Sequence, residues 1–209
     1  EYHFPIGWSE LEGIANRTDY DLKQHAEWSG KSLTYFDEER KTHVVPYVIE
    51  PSAGADRSLL AFLVDAYREE EVRGEKRVVL RFHRELAPIK IAVLPLLKKR
   101  PEIVETAHAL RSRLARRWVT VYDDTAAIGR LYRRQDEVGT PYGVTVDVQT
   151  VGDPAKAEAG DQKVTIRDRD SMEQIRVPID TLEAVLGRLF EGDPWERVAA
   201  GSARAEGSG

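Results

Sequence analysis

The stretch VVPYVIEPSAGADRSLLAFLVDAY, Val44–Tyr67, joins two apolar runs through the short segment EPSAGADR. The first run is typical of a β-strand. The second is too apolar all round for a surface helix and predicts a buried helix from about Asp56 to Glu70. A charged segment, EEEVRGEK, follows and is expected to be exposed. The fold of the first part of the chain therefore depends on how this strand passes into this helix.

The junction between the two runs carries more chemistry than a turn requires. Pro51 fixes the exit from the strand, and Gly54 allows a turn or a close approach of a ligand. The carboxylate of Glu50 and the hydroxyl of Ser52 can together hold an ammonium group. The guanidinium of Arg57 can stack on a purine or bind phosphate near the helix N-terminus. A plain strand-to-helix turn, capped by an aspartate, accounts for the same residues, so both interpretations stay open.

A second notable stretch is GWSELEGIANRTDYDL, Gly7–Leu22. Strands are predicted near residues 2–8 and 10–16, so Glu10 and Glu12 would project from one face and Leu11 from the other. Two carboxylates on one face indicate either a solvent-facing strand or a site that pairs them with cations. A helix is expected to follow and to end at Gly30.

The hydrophobic pattern changes near residues 84–88, where a domain boundary is predicted. The run IKIAVLPL is typical of a central strand buried on both faces. A helix is expected to start at Pro101, with one apolar face formed by Ile103, Ala107, Leu110 and Leu114. Further strands and helices alternate to about Phe190, before the stop signal Gly192. This order predicts an α/β domain with a mixed sheet of about five strands.

Charge is distributed unevenly along the chain. Residues 88–135 carry eleven Lys or Arg against four Asp or Glu, although the whole chain has a net charge of −5. The excess indicates either a surface that meets phosphate or an ordinary solvated helix face.

Composition excludes several classes of protein. The 209 residues contain no cysteine, which excludes disulfides and thiolate metal sites, and the five histidines lack the i, i+4 spacing of a metal site. No apolar run has the length of a membrane span, and a cytoplasmic location is expected. The motifs of zinc proteases, P-loop proteins and dinucleotide-binding folds are absent.

Taken together, GWSELEGIANRTDYDL and VVPYVIEPSAGADRSLLAFLVDAY resemble the end of the catalytic core of homodimeric class II glycyl-tRNA synthetases. The second stretch is similar to motif 3 of class II enzymes. The region that includes LYRRQDEVGTPYGVTVDV and VTIRDRDSMEQIRVPI resembles the anticodon-binding domain that follows. The resemblance implies a partial antiparallel catalytic sheet with helices in 1–86, an α/β anticodon-binding domain in 87–192 and a disordered tail in 193–209.

The resemblance also implies roles for particular residues. The glycine substrate would be held by Glu50, Pro51, Ser52, Ala53 and Gly54. ATP would contact Glu10, Leu11, Gly54, Ala55, Asp56 and Arg57, with Glu10 as a possible contact to Mg²⁺. Arg133, Arg134, Arg167, Arg169 and Gln174 are hypothetical contacts to the tRNA anticodon.

The implied reaction is ATP-dependent formation of glycyl-adenylate, followed by transfer of the glycyl group to tRNA(Gly). MgATP would be a substrate, no prosthetic group is expected, and the full-length enzyme would be a homodimer. The chain does not start with Met and lacks motifs 1 and 2, so it is expected to be a fragment without activity of its own.

Two other classes of protein share this layout. One is a non-catalytic relative, such as a polymerase accessory subunit, that only binds nucleic acid. The intact EPSAGADR and the Glu10-Leu11 pair disfavour it, because a protein without substrates does not need them. The other is a class II synthetase for threonine, proline or histidine; the stretch Gly7–Leu22 favours glycine.

Overall fold

The structure is a computed structural model that describes residues 1–153, 158–201 and the backbone of 203–204. The chain divides into two compact units, Glu1–Asp65 and Ala66–Gly209. The division lies about twenty residues before the domain boundary predicted near 84–88, because the residues between fold with the second unit. The predicted domain limits themselves stay a prediction.

The first unit consists of short antiparallel strand pairs and two helices. The pairs are β1 (Tyr2–Phe4) with β2 (Gly7–Ser9), β3 (Glu12–Asn16) with β6 (Ile49–Ala53), and β4 (Tyr35–Asp37) with β5 (Thr42–Val44). The helices are α1 (Tyr20–Ser29) and α2 (Ala55–Ala66). As predicted, α1 ends at Gly30, which adopts the left-handed conformation with φ of 69°.

Much of the apolar surface of the first unit is exposed. Trp8 and Trp28 are 72% and 83% exposed, and Leu59 and Phe62 of α2 are 59% and 49% exposed. The expectation that α2 is buried all round is therefore not met within this chain. Exposed apolar side chains in this number are characteristic of a surface that another part of a protein covers.

The second unit begins with a hairpin that was not predicted. In place of the predicted helix end and exposed charged segment, the structure has β7 (Tyr67–Val72) paired with β8 (Glu75–Leu80). The connecting residues Arg73 and Gly74 have φ of 54° and 79°. Two consecutive positive φ values are typical of the tight turns that match the twist of a two-stranded hairpin.

A mixed sheet of five strands forms the centre of the second unit, as predicted. Its order is β10 (Thr120–Tyr122), β9 (Ile91–Pro95), β11 (Tyr142–Val146), β14 (Lys163–Asp168) and β15 (Gln174–Pro178), and the two-residue β16 (Ala203–Arg204) pairs with β15. The first three strands are parallel, and β14 and β15 run antiparallel. A separate small pair joins β12 (Gly152–Asp153) to β13 (Glu158–Ala159).

Helices pack on this sheet and complete the core. They are α3 (Pro101–Leu114), α4 (Ile128–Val138), the short α5 (Val148–Val151), α6 (Leu182–Glu191) and α7 (Trp195–Ala200). All five residues of β9 are buried, and so are the four predicted apolar positions of α3, Ile103, Ala107, Leu110 and Leu114. Both sequence predictions are thus confirmed.

Helix α7 lies within the region assigned to a disordered tail. Trp195 and Val198 are buried against the core, and the indole Nε1 of Trp195 donates to a carboxylate oxygen of Glu173 at 2.8 Å. Burial of these two apolar side chains stabilises the helix, which was not predicted because the sequence around them is polar. Residues 202 and 205–209 lie outside the described residues.

Helices α4 and α6 start without a side-chain cap, although aspartates precede both. Helix α4 starts after Ala127, and Asp123 instead accepts from the backbone N–H of Thr125. Helix α6 starts after Thr181 without a side-chain cap.

Gly139 shows how closely the start of the second unit packs on α4. Its φ is 84°, and a Cβ atom at this position would lie 2.6 Å from Cδ2 of Phe82 and 2.8 Å from the carbonyl oxygen of Leu80. The end of β8 and the segment after it therefore lie so close to the C-terminal end of α4 that no side chain fits at Gly139.

We expect Leu114→Ala to lower the free energy of unfolding by about 2–5 kcal/mol, because Leu114 is fully buried between α3 and the sheet. Urea denaturation followed by circular dichroism measures the change. Val119→Ala is the control, since Val119 is 58% exposed, and its effect should stay within about 0.5 kcal/mol. An equal loss in both variants would contradict the described core.

Candidate functional site

Pairing of β3 with β6 brings together the two stretches that the sequence analysis singled out. In the register of this pair, Gly13 lies opposite Ser52 and Ala15 opposite Glu50. All five residues of β6 are exposed. The predicted glycine-binding residues Glu50, Pro51, Ser52 and Ala53 therefore lie on one accessible strand, and Gly54 follows it directly.

Arg57 connects the start of α2 to the segment after β2. Its Nη1 donates to Oγ of Ser9 at 2.8 Å and to the carbonyl oxygen of Glu10. Glu10 lies between β2 and β3, outside a strand, so the predicted alternation of Glu10 and Glu12 on one strand face is wrong. Asp56 lies in the first turn of α2 and not at its cap. Arg57 is held near the residues expected to contact the nucleotide.

The carboxylate of Glu50 already has a cationic neighbour. Nη1 of Arg17 lies 3.0 Å from Oε2 of Glu50, and Arg17 also bonds to Asp21. The hydrogen bond from Arg17 lowers the pKa of Asp21 below its ordinary value. The carboxylate of Glu50 is thus kept on the accessible side of β6 by a solvent-exposed ion pair.

In the second unit, a cavity of about 660 Å³ lies between the β7–β8 turn, α4 and the β14–β15 hairpin. We call it the α4 groove; it is lined by Val72, Arg73, Glu75, Gly129, Arg130, Tyr132, Arg133, Arg167, Met172 and Gln174. Three of the five hypothetical anticodon contacts, Arg133, Arg167 and Gln174, are among them. The groove has the size of an ordinary ligand site.

Buried ion pairs lie at one side of this groove. Nε of Arg77, on β8, donates to Oδ2 of Asp136 on α4 at 2.9 Å, and both residues are fully buried. Arg167, on β14, donates from Nη1 and Nη2 to the same carboxylate at 2.9 and 3.2 Å. Nη1 of Arg77 also donates to Glu70 at 2.7 Å. One carboxylate thus joins the hairpin, the helix and the sheet.

Arg77 remains charged in this setting. Burial opposes the charged form, but the hydrogen bonds and charges of Asp136 and Glu70 outweigh it and raise the pKa of Arg77 above its ordinary value. Buried charges of this kind depend on each partner, because removal of one leaves the other without compensation.

Arg167 also contributes to the groove wall. Its guanidinium carbon lies 4.7 Å from the centroid of the Tyr132 ring, and the Tyr132 hydroxyl shares a hydrogen bond of 2.6 Å with Thr145. The plane of the guanidinium is therefore fixed by the ring on one side and by Asp136 at its edge. Arg167 is only 8% exposed, so most of its side chain supports the groove wall.

The other two hypothetical anticodon contacts lie elsewhere. Arg169 is buried and donates to the carbonyl oxygens of Gly139 and Phe82 at 2.8 and 2.9 Å, and it also pairs with Asp170. Arg134 bonds to Asp123 and Thr125 in the loop before α4. The structure therefore does not bring all five residues together. A contact from either of these two to RNA stays a prediction.

Four polar or flexible residues of the groove were not predicted as site residues: Arg73, Glu75, Arg130 and Met172. Arg130 is one helical turn before Arg133 and Arg134 in the basic run, so its spacing on α4 was a usable signal. Arg73 and Glu75 belong to the hairpin that was not predicted, and no signal within the basic region points to them.

Within the described residues, no helix is long and apolar enough to span a membrane. No group of three or more His, Cys, Asp or Glu side chains suited to a metal ion occurs in the same part of the chain.

Comparison with known proteins agrees with this geometry. Residues 90–189, which contain the five-stranded sheet and α4, match the family model described as "Anticodon binding domain". The chain is 54% identical over 186 residues to glycine–tRNA ligase of Caldanaerobacter subterraneus subsp. tengcongensis. This similarity extends over 89% of the chain. The resemblance inferred from its motifs is confirmed.

Other glycine–tRNA ligases show the same extent of similarity. The protein of Corynebacterium efficiens is 53% identical over 200 residues, covering 92% of this chain and 41% of its own length. That of Geobacillus kaustophilus is 51% identical over 187 residues, covering 89% of this chain and 38% of its own length. The match to the Caldanaerobacter protein likewise covers 89% of this chain and 38% of the relative. The chain thus spans about two fifths of the relatives it matches.

We expect Arg77→Leu to lower the free energy of unfolding of the second unit by about 3–5 kcal/mol, because the carboxylates of Asp136 and Glu70 lose a buried partner. Chemical denaturation monitored by tryptophan fluorescence measures the loss. Arg68→Leu, an exposed arginine of the same hairpin, is the matched control. If both variants unfold at the same urea concentration, the network does not hold the hairpin.

Proposed function

We propose that this chain is part of a glycine–tRNA ligase and that its second unit binds the anticodon arm of tRNA(Gly) at the α4 groove. The observation that carries the proposal is the position of Arg133, Arg167 and Gln174 on one cavity within the residues that match the anticodon binding domain family. The tRNA(Gly) partner comes from the identity to glycine–tRNA ligases over about nine tenths of the chain.

The chemistry of the groove suits single-stranded RNA. Arg73, Arg130 and Arg133 offer cationic groups to phosphates, and Arg167, held by Asp136 and Tyr132, supports the wall between them and Gln174. Gln174 can donate to and accept from a base edge. Phosphate contacts position a single-stranded loop, and hydrogen bonds to base edges supply specificity.

We propose that the first unit supplies part of the site that forms glycyl-adenylate from glycine and MgATP. Glu50 and Ser52 would hold the glycine ammonium group. Pro51, Ala53 and Gly54 would leave no room for a side chain on the substrate. Glu10, Leu11, Gly54, Ala55, Asp56 and Arg57 would face ATP, with Glu10 near its Mg²⁺. The pairing of β3 with β6 and the bonds of Arg57 to Ser9 and Glu10 support this arrangement.

The protein's part in this chemistry would be positioning and electrostatic stabilisation. A cation near the phosphates, such as Arg57, stabilises the charge that develops when the glycine carboxylate attacks the α-phosphate. A carboxylate and a hydroxyl fix the orientation of the ammonium group, which keeps the attacking oxygen in line. The remaining contacts to ATP would come from the three fifths of the relatives' length that this chain does not match.

The exposed apolar side chains of the first unit support its membership in a larger catalytic domain. Trp8, Trp28, Leu59 and Phe62 would be covered by that domain. We further propose a catalytic part within 1–86, an anticodon-binding part within 87–192, a homodimer of the full-length enzyme and a cytoplasmic location.

The anticodon arm is the first point to test. A stem-loop RNA with the sequence of the tRNA(Gly) anticodon arm should bind this chain. Arg133→Ala should weaken this binding by about tenfold or more, because Arg133 lines the groove. Gel-shift titration at one fixed salt concentration measures the affinity. Arg116→Ala removes the same charge from the exposed basic region outside the groove and should change affinity much less. Equal effects would contradict a site at the α4 groove.

Catalysis is tested by glycine-dependent ATP–pyrophosphate exchange. We expect exchange from the full-length protein, its loss by at least about a hundredfold in Arg57→Ala, and none from the 209-residue chain alone, because the chain supplies a share of the site. Robust exchange by the isolated chain would contradict the incomplete site. Failure of the full-length protein to exchange would favour a non-catalytic relative.

A further inference from the structure

Helix α7 and strand β16 lie beyond the residues that match the anticodon binding domain family, yet both contact the β14–β15 hairpin. Strand β16 pairs antiparallel with β15 and covers its edge. From α7, the indole Nε1 of Trp195 donates to Oε2 of Glu173, in the turn between β14 and β15, at 2.8 Å. We call α7 and β16 together the α7–β16 segment. It holds the hairpin at two places, the edge of β15 and the turn before it.

The contact at Glu173 lies on the other face of the sheet from the α4 groove. Gln174, the first residue of β15, lines the groove, whereas Ile175 is buried in the same cluster as Trp195. The backbone N–H of Asp168 donates to the carbonyl oxygen of Glu173 at 3.0 Å, so the ladder extends to Glu173. Because side chains alternate along a strand, Glu173 projects from the face of Ile175 and opposite to Gln174. Trp195 thus supports the turn from outside the groove.

The β14–β15 turn has an anchor on each of its strands. On the β14 side, Arg169 is buried and donates to two backbone carbonyl oxygens of other segments. On the β15 side, Glu173 is exposed and its carboxylate bonds to Trp195. Between the anchors lies Met172, whose φ of 61° is unfavourable for a residue that carries a side chain. A strained backbone persists where surrounding contacts hold it, so loss of one anchor should loosen the turn.

The wall of the α4 groove depends on the position of this turn. Met172 lies in the turn and Gln174 follows it closely, and both line the groove. Arg167, also a groove residue, is paired with Gln174 across the hairpin. Groups that bind a ligand must be held within about 0.5 Å of their productive positions by packing and supporting hydrogen bonds. A contact that fixes the turn therefore contributes to binding in the groove without touching the ligand.

We propose that Trp195 is a positioning residue for RNA binding, because its N–H holds Glu173 and with it the turn that carries Met172. The inference rests on the function proposed above, and it adds α7, outside residues 90–189, to the RNA-binding unit. The charge of Glu173 gives the test a clear sign. Removal of a carboxylate near a groove that binds phosphate would by itself strengthen binding. If position decides, the same removal weakens binding.

Two substitutions break the hydrogen bond from its two ends. Trp195→Phe keeps an aromatic ring in the core and removes the donor, and Glu173→Ala removes the acceptor. Each should weaken binding of a stem-loop RNA of the tRNA(Gly) anticodon arm by about threefold to tenfold, the size of a single hydrogen bond. The losses should not add in the double variant, because both substitutions remove one bond. Fluorescence anisotropy at one salt concentration measures the affinity.

Matched controls separate the hydrogen bond from the charge. Glu173→Gln keeps an acceptor for the indole N–H but loses the charge, and should retain most of the affinity. Glu196→Ala removes the same charge from an exposed position next to Trp195 on α7, and should not weaken binding.

Amide hydrogen exchange gives a second readout that does not involve RNA. Exchange at the β14–β15 turn should be faster in Trp195→Phe and Glu173→Ala than in the wild-type chain, and exchange at the buried strand β9 should be unchanged. Circular dichroism checks that each variant folds. Because Glu173 is exposed, Glu173→Ala tests the proposal even if Trp195→Phe does not fold.

The outcomes separate this proposal from the proposed function. A wild-type chain that does not bind the stem-loop overturns anticodon-arm binding itself. If the wild-type chain binds and Glu173→Ala binds equally well or more tightly, only the positioning role is overturned. Unchanged exchange at the turn overturns that role as well, whether or not RNA binds. Equal losses of affinity in Glu173→Ala and Glu173→Gln would assign the effect to the charge and would also contradict the proposal.

Discussion

The second unit depends on a single buried carboxylate. Asp136 accepts from Arg77 on β8 and from Arg167 on β14, so one residue of α4 fixes the hairpin on one side and the sheet on the other. A buried ion pair contributes little net stability over an apolar contact of the same shape, because desolvation offsets the attraction. Its value here is geometric: charges that cannot be left unpaired allow one relative placement of the three elements. The α4 groove is formed by these elements, and its shape follows from that placement.

Patterns of apolar residues predicted the parts of the fold in which burial decides the structure. The continuous run at β9 and the four positions on α3 identified a buried strand and its covering helix, because few other arrangements hide them. The glycine stops after α1 and α6 were equally clear. The β7–β8 hairpin was missed because its sequence is dominated by glutamate, arginine and lysine, which resemble solvent-exposed chain. Those charges are satisfied by partners far away in sequence, such as Asp136, and a local pattern contains no trace of them.

The two candidate sites were predictable to different degrees, because the residues of one are close together in sequence and those of the other are not. The strand-to-helix motif around Gly54 is local, so its residues were identified together, and pairing of β3 with β6 placed the second motif beside them. The groove is assembled from three separate elements, and the basic run on α4 supplied only one wall. Arg169, chosen as an RNA contact by its charge, instead bonds to backbone carbonyls of Gly139 and Phe82. Charge alone does not distinguish an arginine that binds a ligand from one that supports the chain.

The tight fit at Gly139 has a consequence for how this protein is divided into modules. The region that matches the anticodon binding domain family begins at Lys90, yet Leu80 and Phe82 pack within van der Waals distance of Gly139, inside that region. A truncation that starts at Lys90 would leave a gap at the C-terminal end of α4. It would also remove Arg77, so that Asp136 would keep only Arg167 as an arginine partner. An isolated anticodon-binding unit should therefore start at the beginning of the β7–β8 hairpin, some twenty residues before the region that matches the family model.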